Sequence, residues 1–328
     1  MKKWTLIAVA VAAFAALALQ AQKAEEDLPA PIKVDVNLVN VLCSVHDKHG
    51  ALISNLNKDD FHLLEDGKEQ PIKFFSRETD LPLTIGLLVD VSRSQENLIS
   101  IEKSAADAFF HSVLKKKDVA FLISFGADSE LLQDITGSPR LLRDGLDQLR
   151  LNGGFSGINS GPVPTANHPA GTVLYDAIYL AASDRMAKEV GRKVIVLITD
   201  GDDQGSKLNL KQAVEAAQKS DAVIYSFYYV DTGFYMHAGM GFGGGGEGYL
   251  KKMSDETGGR VFRVDRRNTL ENGFEQLQQE MRSQYAIGFS SNNPKTDGSY
   301  HKIELRTNDK DLKVQARKGY YAMRPDDK

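Results

Sequence analysis

An aspartate and two serines stand at alternate positions where an apolar run ends. Thr84-Ile85-Gly86-Leu87-Leu88-Val89 leads straight into Asp90-Val91-Ser92-Arg93-Ser94. In an extended chain alternate side chains point the same way, so Asp90, Ser92 and Ser94 converge if the loop curls round one point. A second apolar run, Val194 to Ile198, ends in Thr199-Asp200-Gly201-Asp202-Asp203. Carboxylates and hydroxyls at the carboxyl ends of two parallel strands would face one crevice, where open α/β sheets bind ligands. Oxygen-only ligation with few formal charges suits a hard cation such as Mg²⁺. The plainer reading of each residue alone is that Asp90 or Asp200 caps the following helix and that the serines are turn residues.

The elements that must position these residues follow from hydrophobic periodicity. Thr84 to Val89, Val119 to Phe125, Val194 to Ile198 and Val223 to Val230 are short, nearly continuous apolar runs, as strands buried on both faces of a parallel sheet require. They alternate with helical stripes: Leu98, Ile101, Ala105, Ala108 and Phe109; Leu174, Ala177, Ile178 and Ala181; Leu270, Phe274, Leu277 and Met281. Strand and helix in alternation predict a doubly wound, mostly parallel α/β sheet. On both sides of this segment the period changes to two. Strands with turns at Asp47-Lys48-His49-Gly50 and Glu65-Asp66-Gly67 fill Ile32 to about Phe75. Tyr285 to Phe289, Tyr300 to Thr307 and Leu312 to Tyr321 read as three more, with turns at Asp297-Gly298 and Asn308-Asp309. Each end alone has too few strands to bury two faces, so the ends are expected to combine into one small β-sandwich-like domain around the α/β segment. The expected boundaries are 1–21 for a signal peptide, 22–31 for a linker, 32–78 and 286–324 for the β-rich halves, and 81–285 for the α/β domain.

Composition narrows the classes. The 328 residues are 42% hydrophobic and 26% charged, as an ordinary globular chain is. A net charge of -4 gives no reason to expect nucleic acid. The basic clusters Lys115-Lys116-Lys117 and Arg263 to Arg267 are short and neighboured by Asp, and read as solvated faces. Lys2 and Lys3, the apolar Trp4 to Leu19 and the small residues Ala16, Ala18 and Ala21 have the layout of a secretory signal. The expected location is therefore secreted or periplasmic, with no membrane span once the signal is removed; an uncleaved anchor is the lesser reading. Cys43 is the only cysteine, so no internal disulfide forms, and its apolar alternating run makes it a buried structural thiol.

Asp90-x-Ser92-x-Ser94 after an apolar strand resembles the metal-ion-dependent adhesion site (MIDAS) of von Willebrand factor A (VWA) domains. The resemblance implies a loop threonine before the third helix, which Gly171-Thr172-Val173-Leu174 supplies as Thr172, and an aspartate after the fourth long strand, which Asp200 supplies. It covers roughly Leu81 to Tyr285. The flanks, with Asp59-Asp60-Phe61, Glu65-Asp66-Gly67 and Arg317-Lys318-Gly319-Tyr320-Tyr321, are similar to a VWFA-related family known mainly from acidobacteria. The resemblance implies that Ser92 and Ser94 bind Mg²⁺ (or Mn²⁺ or Ca²⁺) directly and Thr172 directly or through water. It further implies that Asp90 and Asp200 orient coordinated waters, and that a protein partner's acidic side chain fills an open coordination position. It also implies a final helix, 270–281, able to shift along the sheet when the cation site changes.

Other constellations weigh less. His46 and His49 lack companions at ligand spacing and read as surface histidines. Asp202 and Asp203 read as a solvated loop. Gly233 to Gly248, with interspersed Phe, Tyr and Met, lacks the ending of a phosphate loop and reads as a mobile loop able to join a partner surface, as does Asn152 to Ala170. The enzymatic alternative is a Mg²⁺-dependent phosphohydrolase with Asp90 as nucleophile. Ser92 stands where such chemistry commonly wants a second carboxylate, and no Ser-His-Asp arrangement stands out.

Overall fold

The computed structural model describes residues 38–77, 81–152, 171–231, 245–291 and 297–323. The expected signal and linker, most of the glycine-rich loop and nearly all of 152–170 lie outside the described residues. Among those described, no helix is long and apolar enough to cross a membrane.

The central sheet is built from β5 (Leu83–Asp90), β6 (Val119–Phe125), β7 (Ser129–Thr136), β8 (Arg192–Thr199), β9 (Ala222–Tyr228) and β10 (Val261–Arg263), in the order β10-β9-β8-β5-β6-β7. Every pairing is parallel except β6 with β7. All eight residues of β5 are buried, as the central position between two helical layers demands. One layer contains α1 (Ile99–Val113), α2 (Pro139–Asp147) and α6 (Leu270–Arg282). The other contains α3 (Leu174–Tyr179, continued by a π-helical stretch to Met186), α4 (Leu210–Lys219) and α5 (Gly246–Thr257). Gly86 in β5 faces the Phe121 ring, whose Cζ would lie 2.4 Å from a Cβ built there, so the close fit of β5 on β6 needs glycine. The chain runs from β5 outward through β6 to β7, then returns to place β8 on the other side of β5. The carboxyl ends of β5 and β8 thus flank a topological switch point.

The β-rich ends form two antiparallel sheets. One has the order β13-β1-β11-β4, from β1 (Leu38–His46), β4 (Phe74–Ser76), β11 (Tyr285–Ser290) and β13 (Lys313–Ala316). The other has the order β14-β12-β2-β3, from β2 (Phe61–Glu65), β3 (Lys68–Gln70), β12 (Tyr300–Thr307) and β14 (Gly319–Tyr321). Val39, Val41, Cys43 and Val45 of β1 share one core with Phe61 and Leu63 of β2, Ile287 and Phe289 of β11, and Ile303 and Leu305 of β12. The predicted turns are present. Asp47 accepts N–H groups from His49 and Ala51 at 2.8 Å each, and Asp66-Gly67 turns with φ of 48° and 79°. Cys43 is buried, and burial pushes its thiol pKa far up.

Three sequence expectations need correction. Residues 312–321 are not one strand: β13 and β14 lie in different sheets, because the chain crosses between them at Arg317-Lys318. The buried face of α1 is Glu102, Ala105, Ala106, Phe109, Phe110 and Val113, while Ile101 and Ala108 are exposed. A carboxylate in the apolar stripe disguised its helical register. Strands β7 and β10 escaped the pattern, β7 because none of its residues is fully buried and β10 because it is three residues long.

Candidate functional site

The site is built where β5 and β8 end. Asp90 is the last residue of β5, and the chain stays on the sheet edge for one further residue, since the Val91 N–H donates to the Phe125 carbonyl at 2.8 Å. A single 3-10 turn over Arg93–Gln95 then bends the chain back, closed by Gln95 N–H to the Ser92 carbonyl at 3.0 Å. This curl brings the serines together, with Ser92 Oγ 3.1 Å from Ser94 Oγ. The Ser94 hydroxyl donates to Asp200 Oδ2 at 2.6 Å, so its single proton is committed there and Ser92 is the donor to Ser94. Asp90 is fully buried. Its Oδ1 accepts the Ser92 N–H at 2.9 Å and its Oδ2 accepts the Thr199 hydroxyl at 2.6 Å.

Asp200 follows β8 and is held by its own turn. Its Oδ1 accepts the Asp202 N–H at 3.2 Å, and Gly201 adopts φ +81°. A Cβ at Gly201 would lie 2.6 Å from the Gly246 carbonyl oxygen, so the amino end of α5 packs directly on this turn. Thr172 is buried on the same crest. Its carbonyl accepts the Gln204 N–H at 3.0 Å, and the neighbouring Val173 N–H donates to the Gly126 carbonyl at 2.9 Å. These backbone bonds set the threonine loop between the ends of β6 and β8. Hydrogen bonds join Ser92, Ser94 and Asp200 side chain to side chain and tie Asp90 to the Ser92 backbone; among the described residues none joins Thr172 to these four, and its loop is held through Gln204 and Gly126.

The electrostatics are those of two acids, Asp90 and Asp200, set close together at one sheet edge. Burial, and next the charge of Asp200, push the Asp90 carboxyl up to about 7, against the bonds from Ser92 and Thr199 that favour its charged form. Glu102 lies within reach of the Asp90 field. It is fully buried in the α1 face, neither of its oxygens has a hydrogen-bond partner among the described residues, and burial followed by the Asp90 charge raises its pKa well above the usual carboxylate range. Two carboxylates and three hydroxyls offer only hard oxygen donors, a set that fits Mg²⁺, Mn²⁺ or Ca²⁺ better than a soft metal. Among the described residues no group of three or more His, Cys, Asp or Glu is placed to hold a metal, so a zinc-type cluster is absent there.

Sequence reasoning missed three polar residues of this crest. Thr199, expected only among the hydroxyls at that strand end, donates to Asp90 Oδ2, a role the sequence does not single out. Gln95, fully buried, donates to the Tyr229 carbonyl at 3.3 Å, and Glu102 carried no polar signal in its stripe. Two expectations are corrected. Asp203 is not simply a solvated loop residue, since its Oδ1 accepts the Ser206 hydroxyl at 2.5 Å and the Tyr175 N–H at 3.2 Å at the start of α3. His46 is not a surface histidine: its side chain is 12% exposed and its Nε2 lies 3.7 Å from buried Glu280. His49 is exposed, as expected.

One arrangement has the connectivity of a hydrolytic triad without being legible in the sequence. His301 Nδ1 lies 2.8 Å from Asp66 Oδ2 and its Nε2 lies 3.1 Å from Ser299 Oγ. The other Asp66 oxygen accepts the Lys302 N–H at 2.9 Å, and the buried imidazole stacks on Tyr320. The group ties the β2–β3 turn to β12, and we assign it that structural role.

Residues 163–280 match the family model of the von Willebrand factor type A domain. The matched stretch contains Thr172 and Asp200 and begins after Asp90, Ser92 and Ser94. Together with the sheet described above, the match shows that the chain carries a VWA domain, of the kind that generally mediates protein interactions rather than catalysis. No curated protein matches the sequence. Among solved structures, BatB from Bacteroides thetaiotaomicron is 17% identical over 61% of this chain and 97% of its own, with a TM-score of 0.43. A von Willebrand factor type A protein from Catenulispora acidiphila is 12% identical over 82% and 74%, at 0.44. Proximal thread matrix protein 1 from the mussel byssus, with a zinc-occupied MIDAS motif, is 12% identical over 66% and 49%, at 0.44. Likenesses this distant carry no argument about function.

Proposed function

We propose that this chain is an exported, cation-dependent protein-binding module of the VWFA-related kind, in which Asp90, Ser92, Ser94, Thr172 and Asp200 hold one Mg²⁺, with Mn²⁺ or Ca²⁺ as substitutes. The observation that carries the reading is the hydrogen-bonded chain Ser92–Ser94–Asp200 at the switch point of the parallel sheet. The bonds from Ser92 to Ser94 and from Ser94 to Asp200 hold these oxygens within reach of one point, which supports the reading that they would turn to a bound cation. Ser92, Ser94 and Thr172 are the direct ligands in this reading, and Asp90 and Asp200 orient coordinated water and set the charge. A cation held there would supply a Lewis-acidic position able to take an acidic side chain of the partner protein. The chemistry is recognition, not turnover.

The competing phosphohydrolase reading needs Asp90 Oδ as an exposed nucleophile. Asp90 is fully buried with both oxygens engaged, by Ser92 and Thr199, and this favours a positioning role.

Titration calorimetry tests the site. The protein should bind one Mg²⁺ with modest affinity, and Asp90→Ala should abolish binding while the fold survives. Equal affinity in both proteins would remove the assignment. A pull-down from envelope extract, Mg²⁺ against EDTA, tests the partner, and phosphatase turnover abolished by Asp90→Asn would restore the enzymatic reading.

A further inference from the structure

Thr172 and Asp200 belong to different elements, and one cation can use both only if their spacing is fixed. Asp200 follows β8, and Thr172 precedes α3. The chain that leaves Asp200 comes back to the threonine loop. The Gln204 N–H donates to the Thr172 carbonyl at 3.0 Å. A Cβ at Gly205 would lie 3.2 Å from Val173 Cγ1, and one at Gly171 would lie 3.4 Å from the Gln204 carbonyl oxygen, so the two loops pack closely.

Beyond this contact the loops cap one another. Ser206 Oγ donates to Asp203 Oδ1 at 2.5 Å and accepts the N–H groups of Tyr175 at 3.1 Å and Asp176 at 3.2 Å, in the first turn of α3. Asp203 Oδ1 also accepts the Tyr175 N–H at 3.2 Å. In the other direction both oxygens of Asp176 are used: Oδ2 accepts the Lys207 N–H and Oδ1 the Leu208 N–H, each at 3.0 Å. First-turn amides have no acceptor within their own helix, so Asp203 and Ser206 satisfy α3 while Asp176 satisfies the returning loop. None of these bonds uses the Thr172 hydroxyl or the Asp200 carboxylate.

We propose that Asp176, Asp203 and Ser206 are positioning residues of the cation site: they clamp the chain after Asp200 to the start of α3 and so set the spacing of Asp200 and Thr172. The proposal rests on the cation-binding reading and adds to it residues that touch no cation. The clamp matters because no hydrogen bond among the described residues joins Thr172 to Asp90, Ser92, Ser94 or Asp200. Its neighbour's bond, Val173 N–H to the Gly126 carbonyl at 2.9 Å, sets the loop against the end of β6 rather than β8. Mg²⁺ demands near-ideal octahedral geometry at about 2.0–2.1 Å, whereas Ca²⁺ takes oxygens at about 2.3–2.6 Å in flexible arrangements. A loosened spacing therefore penalises Mg²⁺ more than Ca²⁺. Loss of the Asp176 charge acts on both divalent cations alike, so the ratio of the two affinities reads geometry and not field.

Titration calorimetry of the full chain with Mg²⁺ and with Ca²⁺, at one ionic strength, tests the clamp. Asp176→Ala should weaken Mg²⁺ binding about tenfold and Ca²⁺ binding about threefold or less, lowering the ratio. Asp176→Asn removes the charge but keeps one acceptor, and its ratio should fall between the two. Ser206→Ala should lower the ratio, while Ser206→Thr, which retains the hydroxyl, should keep the parent's. Hydrogen exchange in EDTA gives a reading without metal. The amides of Tyr175, Asp176, Lys207 and Leu208 should be protected in the parent and exchange at least tenfold faster in Asp176→Ala, with α4 and β9 unchanged. If exchange rises in α4 and β9 too, that variant has lost its fold and the Ser206 pair decides. A parent chain that binds neither cation removes the site and the clamp's role together. If the parent binds both and Asp90→Ala binds neither, alanine variants that keep the parent's ratio overturn the clamp alone, and so does unchanged amide protection.

Discussion

Glu102 is an acid set in a helix face that is otherwise apolar, with no donor for either oxygen among the described residues. Its raised pKa fixes the sign of a pH effect. The folded state keeps the proton where the unfolded chain, near 4.5, has lost it, so stability falls as pH rises above that value. Glu102→Met removes the unsatisfied group at similar volume. It should raise stability by about 1–3 kcal/mol at pH 8 and flatten the decline between pH 5 and pH 8. Urea midpoints at the two pH values measure this, and parallel declines in both proteins would refute it. Thr199 poses the opposite case. Thr199→Val leaves buried Asp90 Oδ2 without its donor and should cost about 1–3 kcal/mol. Ser94→Ala, at a partly exposed position, should weaken Mg²⁺ binding while unfolding nearly as the parent does.

At the scale of elements, α6 is one of the members through which the α/β part meets the β-rich part, beside α5, whose Glu256 carbonyl accepts the Lys318 N–H at 3.1 Å. The odd-numbered residues of β1 enter the core between the two antiparallel sheets, while Ser44 and His46 point the other way, to Glu280 of α6. Glu280 is fully buried. It accepts the Ser44 hydroxyl at 3.1 Å, the Tyr225 hydroxyl at 3.2 Å and Arg260 Nε at 2.5 Å. Burial pushes its pKa up, but His46 and Arg260 outweigh burial and hold it below 4.5. A depressed carboxylate stabilises at neutral pH and loses that contribution as pH falls through its folded value. Glu280→Gln should cost about 3 kcal/mol at pH 7 and show a shallower acid limb below pH 4.5, read by chemical denaturation. Farther along α6, Phe274 stacks on Phe109 at 4.4 Å, and Phe274→Ala should cost about 3–5 kcal/mol. If α6 transmits the state of the cation site, the folded variant also changes partner affinity several-fold; unchanged affinity, with Thr172→Ala losing binding, marks a static grip.

On the scale of the whole molecule, strands from both ends of the described chain share sheets. β1 lies between β11 and β13, and β2 pairs with β12 and β3. We propose that 32–78 and 286–324 act as one domain with the VWA domain inserted. Removing 286–328 would strip β1 of β11 and β13 and β2 of β12, and expose Val41, Val45 and Leu63. The truncated chain should then aggregate on size-exclusion chromatography. A soluble 22–285 fragment with a cooperative unfolding transition would count against the shared domain.

The central strands, the final helix and the spacing of Asp90, Ser92 and Ser94 were legible in the sequence because each rests on local periodicity. A strand buried on both faces must be apolar throughout, and alternate residues must share a face whatever the rest of the chain does. Asp200 was legible in the same way at the end of its own apolar run, and the resemblance to VWA domains added Thr172. Tertiary structure decided what depends on contacts between distant segments. It turned Thr199 onto Asp90, 109 residues away, and set Asp176 onto the amides of Lys207 and Leu208. It also split 312–321 between two sheets and buried His46 beside Glu280. Such partners are chosen by the packing of whole layers, and no spacing along the chain encodes which polar side chain will lie across the crest from another.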